Sequence, residues 1–236
     1  MLNDYGCYTD FIKLKEGFTR INVKVNAKEE TEINGQGPVI TNEAIDLLYE
    51  KLDQLEEGDV LVLAGSIPNT LPSDMYERIM ARLEGRDIRV AVDATKDLLN
   101  VLKYHPFLIK PNNHELGEMF GTTLKTQEEI IEYAGRLKEM GARNVLVSMA
   151  GDGAILLAED GSIHSGKPPK GKVLNSVGAG DSMVAGFLTG YLNTGDYEKA
   201  FRLGVATGSA TAFLYWLAAK EDVVRLLNED PKKFGL

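Results

Sequence analysis

The spacing of hydrophobic and polar residues divides the chain into parts with different periods. Near the start, Thr19–Val25 alternates polar with apolar residues and Glu30–Asn34 follows a polar turn, which predicts short strands with one solvent-exposed face. From Thr41 the apolar residues recur at helical spacing. Continuous apolar runs then alternate with helical segments, at Val60–Ala64, Val90–Asp93, Phe107–Lys110 and Asn144–Ser148. This alternation predicts an α/β fold with a mainly parallel sheet and helices on both faces.

The last third of the chain departs from that alternation. Ala154–Ala158 and Ser162–His164 flank an acidic turn that contains glycine, so antiparallel strands are predicted there. Two apolar helices, Gly178–Tyr191 and about Tyr197–Phe213, are expected to end the fold. The tail around Asp230–Lys233 is expected to fray. Residues 1–236 are predicted to form a single domain.

Composition limits the classes of partner. The 236 residues are 44% hydrophobic and carry a net charge of -9, which disfavours a basic nucleic-acid-binding surface. No apolar run is long enough to span a bilayer, so neither nucleic acid nor a membrane is expected as a partner. Cys7 is the only cysteine, which excludes an internal disulfide and favours a cytoplasmic location.

The most informative motif is Gly178-Ala179-Gly180-Asp181, which precedes a run of apolar residues at helical spacing. The motif would form a helix N-terminus, where backbone N–H groups and the positive end of the helix dipole hold anions. Asp181 could there accept the proton of an attacking hydroxyl during phosphoryl transfer. The alternative is a glycine-rich loop in which Asp181 is an ordinary first-turn carboxylate.

A second motif, Lys110-Pro111-Asn112-Asn113-His114-Glu115, follows a strand, where doubly wound sheets bind ligands. Asn112 and Glu115 are three residues apart and offer the oxygen ligands that Mg²⁺ prefers. The alternative is that Asn112 caps a helix and Glu115 completes a capping box. Both interpretations can hold at once.

Two weaker patterns complete the candidate chemistry. One is the loop Ser148, Met149, Ala150, Gly151, Asp152 and Gly153, whose Asp-Gly pair is also a common hairpin turn. The other is formed by Arg20 and Asn22, which are expected to share one face of a strand. Arg20 could bind a phosphate, although a solvated edge-strand arginine is the usual explanation. Ser66 ends another strand with a small polar residue.

Together these motifs resemble the ribokinase-like (PfkB) sugar kinases across nearly the whole chain. The resemblance implies a three-layer α/β/α fold with part of a small β-sheet lid at about residues 17–38, and ATP with Mg²⁺ as cofactors. It implies Asp181 as the base, and Gly178, Ala179 and Gly180 as the anion hole. It further implies nucleotide contacts from Lys110, Gly180 and residues 148–153, hydrated Mg²⁺ at Asn112 and Glu115, and sugar-phosphate contacts from Arg20, Asn22 and Ser66.

Within the family, four segments are similar to the bacterial 1-phosphofructokinase branch, namely Thr19–Lys24, Glu30–Pro38, Tyr104–Pro106 and Ala210–Phe213. This similarity implies phosphorylation of D-fructose 1-phosphate at its 6-hydroxyl, with fructose 1,6-bisphosphate and ADP as products. A tagatose-6-phosphate kinase, or another phosphosugar kinase of the family, is the alternative. A homodimer through the lid strands is also implied.

The sequence departs from the family pattern in two places. The Asn-Pro-x-x-Asp strand and the Gly-Gly-Lys-Gly loop with which members begin are not found, so the chain is expected to lack the family's N-terminal segment. That departure supports an alternative of another class, an inactive remnant that binds nucleotide or sugar phosphate. The second departure is the apolar Leu214–Leu217, expected to pack near the adenine or over the core. A dinucleotide oxidoreductase is disfavoured, because no Gly-x-Gly-x-x-Gly motif follows an early strand.

Overall fold

A computed structural model describes residues 2–26, 30–94 and 98–236. Contacts along the chain define two compact units. Unit 1 comprises Met1–Asp59 and Ser66–Ile88, and unit 2 comprises Val60–Gly65 and Arg89–Leu236. The single domain over residues 1–236 stays a prediction.

Among its described residues, unit 1 has a pair of antiparallel strands and two α-helices. Strands β1 (Asn22–Asn26) and β2 (Glu30–Asn34) pair antiparallel, and α1 (Asn42–Asp53) and α2 (Met75–Leu83) follow. The first strand begins three residues later than Thr19, so the prediction that Arg20 and Asn22 share a strand face is wrong. Of the predicted lid at 17–38, residues 27–29 lie outside the described part of the chain.

The sheet of unit 2 follows the predicted alternation. In the described part of the chain, its six strands have the order β3-β4-β5-β6-β7-β8. Neighbouring strands from β3 to β6 are parallel, and β7 and β8 are added antiparallel. The strands are β3 (Val60–Ala64), β4 (Arg89–Asp93), β5 (Leu108–Ile109), β6 (Asn144–Ser148), β7 (Ala154–Leu157) and β8 (Ile163–Gly166). The predicted fold class is confirmed, including the switch to antiparallel strands.

Strand β3 corrects one expectation. Its unbroken apolar sequence predicts burial, but it lies at an edge of the sheet and Val62 is 45% exposed. An apolar run shows only that a strand can be buried. Whether the strand has one or two neighbouring strands depends on the strand order of the sheet.

The helices of unit 2 form its core with the central strands. They are α3 (Leu98–Val101), α4 (Asn113–Met119), α5 (Gln127–Glu139), α6 (Ala179–Thr194), α7 (Tyr197–Ala212) and α8 (Lys220–Leu227). Helices α6 and α7 approach closely at Gly190, where a Cβ atom would lie 2.7 Å from Ala200 Cα. Phe107 of the loop before β5 and Phe187 of α6 are fully buried in one core cluster with residues of the strands and of both helices.

The C-terminal end is more ordered than predicted. Helix α8 follows the two helices that were expected to end the fold, and a 3-10 turn at Pro231–Phe234 follows α8. Phe234 is buried with Leu203 and Leu227, so the expected fraying is wrong. Within the described residues, no helix is both long and apolar enough to cross a membrane.

Candidate active site

The glycine motif forms the start of α6, as predicted. Gly178 is the N-cap residue and has a φ of 79°, in the left-handed region that strains other residues. A Cβ atom at Gly178 would also lie 2.8 Å from Leu217 Cδ2. Because glycine has no side chain, the N-cap position leaves the first turn without a side-chain cap. The Ala179 N–H donates to Ser176 O at 3.2 Å, so the Gly180 N–H and the positive dipole end are the groups suited to an anion.

Asp181 lies in the first turn of α6 with an exposed side chain. A base that takes a proton from a substrate must be reachable from solvent, and this position is. Its carboxylate also influences the acidity of Asp93 on a neighbouring element. The charge of Asp181 in the first turn of α6 therefore acts on Asp93, at the carboxyl end of β4.

Lys110 connects the sheet to that helix start. It directly follows β5 and is 7% exposed, and its Nζ lies 3.2 Å from Oδ1 of Asp93, the last residue of β4. A Cβ atom at Gly180 would lie 3.1 Å from the same Nζ. The ammonium group thus lies against the first turn of α6, and glycine there keeps the approach open.

Asp93 is a site residue that the sequence patterns did not identify. Its carboxyl group is largely buried, which raises its pKa, and the charges of Asp181 and Glu115 raise the pKa further, while the Lys110 ammonium lowers it. Three carboxylates and one ammonium group therefore share one region. The sequence did contain a signal for Asp93. It is an acidic residue at the end of the apolar run 90–93, and Lys110 likewise follows the carboxyl end of a parallel strand.

Asn112 and Glu115 form the N-terminus of α4. Asn112 Oδ1 accepts from Glu115 N at 2.8 Å, and Glu115 Oε2 accepts from Asn112 N at 2.8 Å. The capping-box interpretation is confirmed, and the metal-binding role stays a prediction. Ser148 lies next to this cap, since it forms a parallel bridge with Asn112 and donates its N–H to Pro111 O at 3.1 Å.

The predicted nucleotide loop is a tight turn between β6 and β7. Ala150–Asp152 forms a 3-10 turn, and Met149 N donates to Gly153 O at 2.8 Å. Gly153 has a φ of 100°. Met149 is buried, whereas Ala150, Gly151 and Asp152 are exposed. The hairpin interpretation is confirmed, and nucleotide binding stays a prediction.

The predicted sugar-phosphate residues belong to unit 1. Arg20 and Ser66 line one cavity of about 690 Å³, with Lys13 as a second cation. Arg20 is half-buried, and Gly37 gives it room, because a Cβ atom there would lie 3.2 Å from Arg20 Cβ. Asn22, at the start of β1, is exposed and, of the described residues, is not one that lines the cavity.

Comparison with known proteins identifies the class of enzyme. The model of the pfkB family carbohydrate kinases matches residues 1–216. A 1-phosphofructokinase of Bacillus subtilis is 50% identical over 229 residues, which cover 97% of this chain and 75% of the relative. A D-tagatose-1-phosphate kinase of Bacillus licheniformis is 36% identical over 207 residues, which cover 87% of this chain and 67% of the relative.

A solved structure agrees with these relatives. A crystal structure from Staphylococcus aureus, assigned as a phosphofructokinase, superimposes with a TM-score of 0.85 at 40% identity, over 96% of this chain and 74% of that one. Helix α6 with Asp181, and the buried Lys110, lie within residues 1–216, which the family model matches. The chain belongs to the pfkB family of carbohydrate kinases and is a phosphotransferase.

Proposed function

We propose that this chain transfers the γ-phosphoryl group of ATP to the 6-hydroxyl of D-fructose 1-phosphate. The observation that carries the proposal is the placement of Asp181 in the first turn of the glycine-capped helix α6, beside the buried Lys110–Asp93 pair. The names of the curated relatives, 1-phosphofructokinases of Bacillus subtilis and of other bacteria, support this acceptor.

The reaction needs few groups from the protein. The O6 oxygen of the sugar forms a bond to the γ-phosphorus, and the bond from that phosphorus to the β–γ bridging oxygen breaks, releasing ADP. The O6 proton passes to the Asp181 carboxylate. The N–H groups of the first turn of α6 and the Lys110 ammonium stabilise the charge on the transferring group.

The acidic residues around Lys110 fit Mg²⁺. Asp93, Asp181 and Glu115 bring carboxylate charge to one region, and Asn112 adds an amide oxygen. Mg²⁺ usually keeps several water ligands and is shared with substrate phosphates, so one or two protein carboxylates suffice. Asn112, Glu115 and Asp93 would hold the ion, which supplies charge neutralisation for the phosphates.

Replacing Glu115 by Gln tests the metal role. A Gln side chain keeps an oxygen that can accept from Asn112 N, so the capping box survives while the negative charge is lost. The Mg²⁺ concentration that gives half-maximal velocity is expected to rise about tenfold. Glu129→Gln is the matched control, because Glu129 has the same capping role in the box that begins α5. Equal Mg²⁺ dependence of the two variants would refute the metal assignment.

The cavity of unit 1 suggests how the 1-phosphate is bound. Arg20→Ala is expected to raise KM for fructose 1-phosphate about tenfold to a hundredfold in steady-state assays, because charged hydrogen bonds to the phosphate are lost. Arg20→Lys should recover only part of the loss, since lysine lacks the fork geometry of arginine. Arg78→Ala, which removes an exposed arginine paired with Asp74, is the control. An Arg20→Ala variant with the parent KM would contradict the assignment.

The choice of acceptor is decided by comparing substrates. Rates of ADP formation with D-fructose 1-phosphate, D-tagatose 1-phosphate, D-tagatose 6-phosphate and D-fructose 6-phosphate give kcat/KM for each. The proposal expects fructose 1-phosphate to be the best. The D-tagatose-1-phosphate kinase among the relatives makes tagatose 1-phosphate a second candidate, and a higher kcat/KM with any other acceptor would overturn the proposed specificity.

The proposal includes a homodimer through the lid strands. Val23 and Ile33 lie opposite each other in the β1–β2 pair and are 45% and 62% exposed. Exposed apolar pairs on a short two-stranded sheet are suited to an interface. Light scattering tests the dimer directly. A cytoplasmic location also belongs to the proposal, supported by the single cysteine.

A further inference from the structure

The loop that follows α7 is anchored at the start of α6. Trp216 and Leu217 are 86% and 70% exposed, so these side chains do not cover the core, which was one of the loop's two expected roles. Leu217 lies over Gly178, where a Cβ atom would be 2.8 Å from Leu217 Cδ2. At the far end of the loop, Ala218 N donates to Thr211 Oγ1 at 3.2 Å. The loop is therefore attached both to the last turn of α7 and to the start of α6.

Thr211 supplies the buried hydroxyl group at which these elements meet. It is 1% exposed, and its Oγ1 lies 2.9 Å from Oγ of Ser182, the residue that follows Asp181 in α6. A hydroxyl group donates one hydrogen bond and accepts up to two. Because Thr211 Oγ1 accepts from Ala218 N, donation to Ser182 Oγ pairs its own proton. The hydroxyl group thus connects the loop to the turn that carries Asp181.

This bonding differs from that of the neighbouring threonine on α7. A threonine inside a helix commonly bonds to the carbonyl group four residues before it. Thr207 does so, since its Oγ1 donates to Leu203 O at 2.7 Å. The hydroxyl group of Thr211 instead bonds to the loop and to α6. Its hydrogen bonds therefore hold tertiary structure and not its own helix.

The first turn of α6 also packs directly on α7. A Cβ atom at Gly208 would lie 2.9 Å from Ala179 O and 3.3 Å from Met183 Cβ. Close packing of this kind resists movement of the turn towards α7. A hydrogen bond depends on direction as well as distance, so the bond between Ser182 and Thr211 also resists rotation of the turn.

We propose that Thr211 is a positioning residue for phosphoryl transfer. Through Ser182 it fixes the orientation of the first turn of α6, and hence the direction of the Asp181 carboxylate and of the Gly180 N–H. This inference rests on the proposed function, which makes Asp181 the base. Thr211 acts through its neighbour and not on the substrate. Small misplacements of a reacting group lower rates strongly, by up to about a hundredfold for 1 Å.

Removing the hydroxyl group without changing the shape of the side chain tests the proposal. Thr211→Val is expected to lower kcat about tenfold and to leave KM for fructose 1-phosphate unchanged, because Thr211 lies outside the cavity lined by Arg20 and Ser66. Thr211→Ser keeps the hydroxyl group and should restore most of kcat. Thr207→Val is the matched control, because it removes a hydroxyl group that bonds within α7, and it should keep the kcat of the parent.

Urea unfolding establishes that each variant is folded at the temperature of the assay. A folded Thr211→Val with the parent kcat would overturn the inference, since a purely structural role would change only the unfolding midpoint. An equal loss of kcat in Thr207→Val, or a Thr211→Ser variant as slow as Thr211→Val, would overturn it as well.

A double-mutant cycle tests whether Thr211 acts through Ser182. Ser182→Ala alone should lower kcat by a factor similar to that of Thr211→Val. The double variant should be no slower than either single variant, because the two side chains share one hydrogen bond. Effects that multiply would show that Thr211 acts independently of Ser182, and the proposed route would be wrong.

A measurement without turnover separates this inference from the proposed function. Amide hydrogen exchange, followed by mass spectrometry of peptides from the first half of α6, reports how firmly that part of the helix is held. Exchange should be faster in Thr211→Val and unchanged in Thr207→Val. If the parent lacks kinase activity and Thr211→Val still exchanges faster, the contact is supported and the kinase is refuted. Turnover by the parent, with kcat and exchange both unchanged in Thr211→Val, supports the kinase and refutes the positioning role.

Discussion

Replacing Asp181 by Asn is expected to lower kcat for ATP-dependent phosphorylation of fructose 1-phosphate by about three orders of magnitude. The amide cannot accept the O6 proton, and removal of a general base typically costs this much. The side chain is exposed in the first turn of α6, so the backbone N–H groups of that turn are left in place. The Kd for ATP should therefore change little, and steady-state kinetics with calorimetry measure both quantities.

The control for that variant is Glu198→Gln. Glu198 is the exposed first-turn carboxylate of α7, and its replacement removes the same charge from the same kind of position. Both variants should lose less than about 1 kcal/mol of unfolding free energy, because each loses one interaction with a helix dipole. If Asp181→Asn retained the kcat of the parent, the base would have to be another group.

Replacing Lys110 by Met is the second large effect. The ammonium of Lys110 is buried against the Asp93 carboxylate and close to the first turn of α6. We expect kcat to fall about a hundredfold or more, because a positive charge aimed at the transferring group is lost. Stability at pH 7.5 should fall by about 3 kcal/mol, because the Asp93 carboxylate is left buried without its partner.

The stability loss in Lys110→Met should depend on pH. Burial and the neighbouring carboxylates raise the pKa of Asp93 in the folded chain, and Lys110 opposes that rise. A raised folded pKa means that the folded state binds more protons than the unfolded state, so stability is lost as pH rises through that pKa. Without Lys110 the pKa rises further, and the deficit relative to the parent should be larger at pH 7.5 than at pH 5.

Urea unfolding of both proteins at the two pH values tests this expectation. Lys51→Met provides the comparison, since Lys51 forms a partly exposed pair with Asp10, and such pairs contribute little. A Lys110→Met deficit that is equal at both pH values would show that Asp93 does not carry the coupling.

The parts of the fold that the sequence predicts are those in which local pattern and tertiary structure agree. Apolar runs separated by helical segments specify parallel strands, and the acidic glycine-containing turn between 154–158 and 162–164 specifies an antiparallel pair. The sequence does not show that β3 lies at the edge of the sheet, because its composition is that of a central strand. The buried C-terminal turn depends on the contact of Phe234 with distant Leu203, which no local pattern reports.

The candidate site shows the same division. Gly178 was identified by the Gly-Ala-Gly-Asp motif before a helical run, and the structure adds two reasons for glycine there, a left-handed φ and the neighbouring Leu217. Asn112 and Glu115 were identified by spacing, although spacing alone does not separate a helix cap from a metal ligand. Asp93 was missed, since its importance comes from Lys110, which is 17 residues away in sequence and 3.2 Å away between charged atoms.

The account is tested most directly by incubating the chain with ATP, Mg²⁺ and D-fructose 1-phosphate and following the mixture by phosphorus NMR. We expect one new phosphate ester on O6 of the sugar for each ADP formed, and no such ester with Asp181→Asn. Calorimetric binding of both ligands with no 6-phosphate ester formed would contradict the account and would identify the chain as a binding protein without kinase activity.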